Sequence, residues 1–191
     1  MPALPDKAGT RKDQPLKKEL DPKIAEEIAE DFLERTKDLY KRYELAGSLR
    51  RKESVVHDID FAVIPKGEFG AWREEVKERV IKIGGTVGPF GETISNFRYR
   101  DVLVNLFICP SEDAWGVTLM WATGPKGHTI GMTIKARNKG LLLDSTGIWT
   151  REEPRRLVGA KSEEEVGRIL GWKLKPPKER GKGSKPGSVF Y

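Results

Sequence analysis

Apolar residues recur along the chain at two different periods, and the switches between them mark out the elements. After Asp21-Pro22, an N-cap followed by proline at the first helical position, Ile24, Ile28, Phe32, Leu39 and Tyr43 return at roughly helical spacing, which predicts a helix over about 22–43. Glu26, Glu27, Glu30 and Asp31 occupy its early turns, where the helix dipole favours acidic groups. Leu45-Ala46-Gly47-Ser48 breaks the pattern, and DIDFAVIP over 58–65 reads as a strand closed by proline and glycine. Phe69, Trp72, Val76, Val80 and Ile83 predict an amphipathic helix over 69–83, stopped by Gly84-Gly85. Segments 86–90, 93–99 and 102–109 are strand-like, the last being VLVNLFIC before Pro110.

Past Pro110 the texture changes. Ser111-Glu112-Asp113 caps a short helix, and WGVTLMWATG ends in a Thr-Gly turn. A helix over about 126–138 and a hairpin around Asp144-Ser145-Thr146-Gly147 follow, and Ser162-Glu163-Glu164-Glu165 is a capping box opening a helix to Leu170. Residues 1–21 read as a flexible leader of mixed charge, and the Lys-, Gly- and Pro-rich tail as mobile beyond about Arg180. Strands before Pro110 and helices after it imply an α+β protein of two subdomains, 22–110 and 111–180, with a basic tail at 181–191.

Composition narrows the chemistry. The 191 residues are 37% hydrophobic and 34% charged, with no apolar run approaching a membrane span and no signal-peptide pattern, so the expectation is a non-secreted intracellular protein without a membrane partner. One cysteine, Cys109, and two histidines, His57 and His128, assemble neither an internal disulfide nor a Cys/His zinc site, which leaves carboxylates as metal ligands. The net charge of +6 is unevenly placed: residues 22–172 balance to zero, whereas residues 173–191 carry six basic groups against Glu179 alone. This is a neutral body with a cationic end, suited to an anionic partner.

The informative stretch is Gly47-Ser48-Leu49-Arg50-Arg51, followed ten residues after the serine by Asp58-Ile59-Asp60. Aspartates at i and i+2 on a strand share a face, and two adjacent buried carboxylates are costly unless a cation neutralises them. Magnesium takes such hard oxygen ligands and completes its shell with water and substrate phosphates. A Gly-Ser turn offers backbone N–H groups and a hydroxyl to a phosphate, and Arg51 adds a guanidinium for the same triphosphate. Taken singly, Gly-Ser is a turn and Asp-x-Asp an exposed strand end; together, in helix–turn–strand order, they are specific.

GSLRRKESVVHDIDF resembles the signature of the nucleotidyltransferase superfamily, and specifically of family X DNA polymerases, the DNA polymerase beta group. VNLFICP resembles the third palm strand of that family, and MWATGPKGHTI its Thr-Gly turn at the nucleotide-binding edge. SEEEVGRILGWKLKPPKER resembles its C-terminal signature, a Glu-rich helix followed by an aromatic-containing strand and Pro-x-x-Arg. The resemblance spans about residues 22–180, and the short length is similar to minimal viral members with only palm and C-terminal subdomains. It implies a nucleotidyltransferase palm, a mixed sheet with helices, over 22–110 and a small C-terminal α/β subdomain for nucleotide and DNA over 111–180.

By position, the resemblance implies that Asp58 and Asp60 bind two catalytic magnesium ions (manganese as a substitute), that Ser48 and Arg51 hold the outgoing β and γ phosphates, that Trp121 and Ala122 meet the incoming sugar, and that Gly47, Thr123 and Gly124 belong to the same nucleotide-binding set. An aromatic pair is commoner at 121–122, and the arginine that usually touches the nascent base pair is Thr133, which leaves sugar choice and template fidelity open. The third catalytic aspartate is replaced by Asn105; Asp101 shares the strand parity but lies about 13 Å away at extended spacing. Asparagine is nearly isosteric but neutral and a poor base. An engineered substitution, a natural loss of catalysis and a tolerated variant all fit it.

Fainter signals complete the set. His57 is either a neighbour of the triphosphate or a satisfied turn histidine, and His128 either resembles a position near the nucleotide or primer terminus in some bacterial-type members or packs its helix. Arg98, Arg100, Lys135, Lys173, Lys175, Lys178 and Arg180 are candidates for DNA phosphates. Trp115, Trp149 and Trp172 read as packing rather than base-stacking residues. The implied activity is a monomeric DNA-directed DNA polymerase that joins a deoxynucleoside triphosphate to a primer 3′-hydroxyl on gapped or end DNA in repair, in the cytoplasm, nucleoid or a viral factory, impaired here by Asn105. The alternatives are a template-independent or ribonucleotide-adding terminal transferase and a catalytically silent DNA-end or nucleotide binder.

Overall fold

Helix α1 (Pro22–Thr36) starts where the cap signal places it: the Asp21 carboxylate accepts a hydrogen bond of 2.8 Å from the Lys23 N–H, and Pro22 takes the first helical position. The computed structural model, which describes residues 18–181, ends this helix earlier than the apolar period predicts. After Thr36 a single 3-10 turn (Lys37–Leu39) leads into strand β1 (Tyr40–Leu45). The correction has a tertiary cause. Tyr43, Glu44 and Leu45 pair with Val63, Ala62 and Phe61 of β2 (Asp58–Pro65), so the backbone finds its partners in the sheet and not in further helical turns.

Helix α2 (Gly47–Arg50) is a single turn between β1 and β2, and α3 (Phe69–Lys82) follows β2. Strands β3 (Thr86–Phe90), β4 (Ile94–Tyr99) and β5 (Val102–Ile108) complete a five-stranded sheet of order β1-β2-β5-β4-β3. β2 and β5 run parallel and the other pairs antiparallel, so α3, β3 and β4 form the crossover that parallel pairing demands. Arg100 and Asp101, both at positive φ (47° and 62°), form the two-residue turn between β4 and β5.

The two faces of this sheet have different fates, and the period of two sorts them. Ile59, Phe61 and Val63 of β2, with Val104 and Leu106 of β5 and Phe97 of β4, pack under α1 and α3 against Phe32, Trp72, Val76 and Val80. The opposite face carries Ala62 and Ile64, covered by Trp115, Leu119 and Ala122 of α4 (Trp115–Thr123). On that same face, by strand parity, lie Asp58, Asp60, Asn105 and, from β4, Asn96 and Arg98.

α4 is buried on nearly all sides and joins two cores. Its Val117 and Met120 pack with Met132 and Ala136 of α5 (Lys126–Asn138), Ile148 and Val166. Around them stand a three-stranded antiparallel sheet, β6 (Leu141–Asp144), β7 (Gly147–Thr150) and β8 (Leu157–Val158), and α6 (Glu163–Leu170). The capping box is displaced by one residue. Ser162 Oγ accepts from the Glu165 N–H at 3.2 Å, but the Glu165 carboxylate accepts from the Lys161 N–H at 2.7 Å rather than from Ser162. Residues 172–176 follow α6 without forming the aromatic-containing strand that the sequence suggested. The expected leader lies mostly, and the basic tail beyond Gly181 entirely, outside the described residues.

Candidate active site

Register brings the polar residues of the open face together. Asp60 stands opposite Asn105 across the parallel pair, and Asn105 stands opposite Asn96 across the antiparallel one. Their side chains form a chain: Asn96 Nδ2 donates to Asn105 Oδ1 at 2.6 Å, and Asn105 Nδ2 donates to Asp60 Oδ1 at 2.7 Å. Asn105 therefore occupies the place where a third carboxylate was expected, and it turns the donor end of its amide toward Asp60. A hydrogen bond to a carboxylate is stronger than a neutral one and offsets part of the cost of holding two acids on one strand face.

Gly47 closes the other side of Asp60. Its φ is +60°, and a Cβ added there would lie 2.0 Å from Asp60 Oδ2, so only glycine lets the Ser48 turn sit against the carboxylate. The turn, the two aspartates and Arg51 line one cleft of about 620 Å³, whose opposite wall is Trp121 to Lys126 with Ile130 and Thr133 of α5. Within it the Ser48 hydroxyl oxygen is buried without a hydrogen-bond partner among the described residues. Such an atom is a place for a ligand oxygen. His57 is exposed at the lip of the cleft.

Two tandem arginines tie this turn to the C-terminal half. Arg51 Nη1 donates to the Thr123 carbonyl, and its Nε to Glu53 at 3.3 Å. Arg50 Nη1 donates to Thr123 Oγ1 at 2.8 Å, and its two Nη groups reach both oxygens of Glu163 at 3.1 and 2.8 Å. Arg180 Nη1 donates to Glu163 from the other side at 2.7 Å. Burial raises the Glu163 carboxyl, but hydrogen bonds from Arg50 and Arg180 outweigh it and hold the group below its ordinary range.

Among the described residues no group of three or more His, Cys, Asp or Glu side chains gathers into a metal cluster. The donor set at the cleft is two carboxylates with an amide beside them.

Residues 118–181, from within α4 to the end of the described chain, match the model of the DNA polymerase beta thumb. Over 167 residues, 84% of this chain, the sequence is 29% identical to DNA polymerase/3′-5′ exonuclease PolX of Bacillus subtilis (strain 168). The chain is thus similar to a family X DNA polymerase over most of its length and to the DNA polymerase beta thumb in its C-terminal third. Its five-stranded mixed sheet with helices is consistent with a DNA polymerase beta-like nucleotidyltransferase fold. It corresponds to 28% of the length of the PolX relative.

The other anticipated residues are scattered. His128 does not enter the cleft: it lies 100° around α5 from Thr129 and lines a neighbouring cavity with Met132 and Trp172. Arg98 shares the face of Asp58, two strands away, and donates to the Asp101 carbonyl at 3.1 Å. Arg100 pairs with Asp31 at 2.8 Å on an exposed edge. Lys135 holds its ammonium 3.8 Å from the centre of the Trp172 ring. Lys173, Lys175 and Lys178 are exposed along the segment after α6. Arg180 requires a correction: only 3% exposed, it bonds Glu163 and the Lys175 carbonyl rather than facing solvent where DNA would pass.

Sequence reasoning missed Asn96, Arg50 and Glu163. Asn96 carried a signal, since it stands beside Arg98 among the polar positions of β4 that share the parity of the aspartate face. Glu163 was absorbed into the acidic first turn of α6, and nothing local marks a residue whose partners are 113 and 17 positions away.

Proposed function

We propose that this chain is a nucleotidyltransferase of polymerase type that binds a nucleoside triphosphate and a DNA 3′-end in the cleft between Asp58/Asp60 and Trp121–Gly124, residues 22–110 supplying the reacting face and 111–180 the nucleotide wall. One observation carries the reading. Two carboxylates on one strand face, an unpartnered buried serine hydroxyl and an arginine line the same cleft. That donor set fits a hard divalent cation, magnesium or manganese, held by Asp58 and Asp60 and finished by phosphate oxygens and water. When bound there, such an ion neutralises the triphosphate and polarises the phosphorus under attack.

The protein groups have separable tasks. The Ser48 hydroxyl donates to a phosphate oxygen, and Arg51, held by Thr123, presents its remaining N–H groups to the same chain of phosphates. Trp121 gives the sugar a flat wall beside Ala122. Asn105 fixes the rotamer of Asp60 but, being neutral, takes no proton from the attacking 3′-hydroxyl, so turnover is slow. Acceleration here rests on positioning.

The hydrogen bond from Asn105 to Asp60 also favours a second reading, a protein that binds nucleotide and DNA ends without turnover. Primer extension by the native chain and by Asn105→Asp, with and without template and with deoxy- or ribonucleotides, separates the two. A rise of about a hundredfold or more in Asn105→Asp, abolished by Asp58→Asn, supports the transferase. No rise, with nucleotide still bound, supports the silent binder. Extension without template in Asn105→Asp indicates a terminal transferase, in keeping with Thr133 and Ile130 on the cleft side of α5.

A further inference from the structure

The far face of α5 carries a cavity that nucleotidyl transfer does not use. Lys126, Thr129, Ile130 and Thr133 look into the cleft, whereas Gly127, His128, Gly131, Met132 and Lys135 line a half-enclosed space of about 280 Å³ closed by Trp172. The walls are largely apolar. Two of the helix positions are glycine, four residues apart, and a Cβ at either would meet nothing within 4 Å. Packing therefore does not demand glycine there, although Gly131, inside the helix, costs it about 1 kcal/mol relative to alanine. Their effect is to leave the helix surface flat and low toward the cavity.

His128 ends in this space. Both ring nitrogens are buried, and neither has a partner among the described residues. Burial first, then Arg180 and Lys175, hold the imidazole down to about 4, so at neutral pH it is uncharged and offers one donor and one acceptor. The cations around the cavity are arranged at its margin. Lys135 lies over the indole, Arg180 is committed to Glu163, and Lys175 is exposed. A planar heteroaromatic ring that displaces the Lys135 ammonium would find an indole to stack on, a flat helix face, a neutral hydrogen-bonding edge and nearby positive charge for its attached phosphate.

We propose that this cavity receives one unpaired nucleobase of a DNA strand passing over α5, stacked on Trp172 with its edge hydrogen-bonded to His128. The proposal rests on the reading of DNA as partner and adds a second contact outside the cleft.

The test measures the affinity of the full chain, by fluorescence anisotropy, for a labelled primer–template with a short single-stranded overhang, each overhang nucleotide in turn replaced by an abasic site. In the native chain one position is sensitive, the abasic site there weakening binding about tenfold. Gly131→Leu fills the cavity from a position with open space around it, and it removes that sensitivity while the affinity for the abasic DNA is unchanged. Gly127→Leu does the same from the preceding turn, and thermal melting checks that both variants are at least as stable as the native chain. If no position is sensitive, or if both filled variants retain the sensitivity, the base pocket is overturned while DNA binding stands. If the native chain binds none of these DNAs, the pocket falls together with the DNA reading.

Discussion

At the scale of single residues, the site is decided by what touches Asp60. Gly47 lies against one oxygen and Asn105 donates to the other. Gly47→Ala has to move either the carboxylate or the turn and also adopts a positive φ, a cost of about 1–3 kcal/mol. Its melting temperature falls, and calorimetric nucleotide affinity drops at least about tenfold. Asn105→Asp replaces a donor by a third acceptor beside two acids. Without divalent cation it melts below the native chain, and magnesium raises its melting temperature more than that of the native chain. Equal magnesium shifts in the two proteins would show that position 105 does not face the ion. Asn96→Ala removes the anchor of the Asn105 amide, at about 1 kcal/mol of stability. If Asn105→Asp proves active, the double variant Asn96→Ala/Asn105→Asp shows a lower turnover number with nucleotide KM little changed, the signature of a positioning residue.

At the scale of elements, α2 and α6 meet through one carboxylate. Glu163 sits at the first position of α6 with Arg50 on one side and Arg180 on the other, its side chain only 15% exposed. Glu163→Gln leaves the buried Arg180 guanidinium without its carboxylate and Arg50 with Glu44 alone at 3.3 Å, and urea denaturation at neutral pH registers a loss of about 2–4 kcal/mol. The pH dependence has a definite sign. The folded carboxyl titrates below its unfolded value, so its stabilisation is complete above the ordinary carboxylate range and disappears as pH falls through the folded pKa. The stability gap between native chain and Glu163→Gln therefore closes below about pH 4.5, where the unfolded carboxyl protonates. A gap that stays constant into the acid range would mean that the carboxylate charge is not what joins these elements.

At the scale of the whole molecule, the two cores share α4, and the lysines after α6 lie apart from the reacting face. Lys173 and Lys178 are exposed on the segment after α6, while Asp58 and Asp60 lie in the cleft. Reversing both lysines to glutamate is expected to weaken DNA binding and to flatten its salt dependence by about 0.9 per lost phosphate contact, with nucleotide affinity unchanged. Unchanged DNA affinity would reduce the segment to a solubilising end. Arg180 is unsuited to that experiment, since its guanidinium holds α6 rather than facing solvent.

Much of this was legible along the chain. The i, i+2 aspartates, the Gly-Ser turn, the helix at 69–82 and the Thr-Gly turn are local patterns, set by steric preference and side-chain period, and each stands where the sequence placed it. The strand at 40–45 was not legible, because its apolar residues satisfy a helical period and only pairing with β2 makes the extended form the better one. The same holds within the candidate site. Sequence alone determined which side chains could bear on a phosphate or a cation, since that is chemistry carried by residue type. Tertiary structure decided that Asn96 meets Asn105, that Glu163 joins Arg50 to Arg180, and that His128 turns away from the cleft. Those depend on strand register, on contacts between residues far apart in the chain, and on the rotation of one helix about its axis.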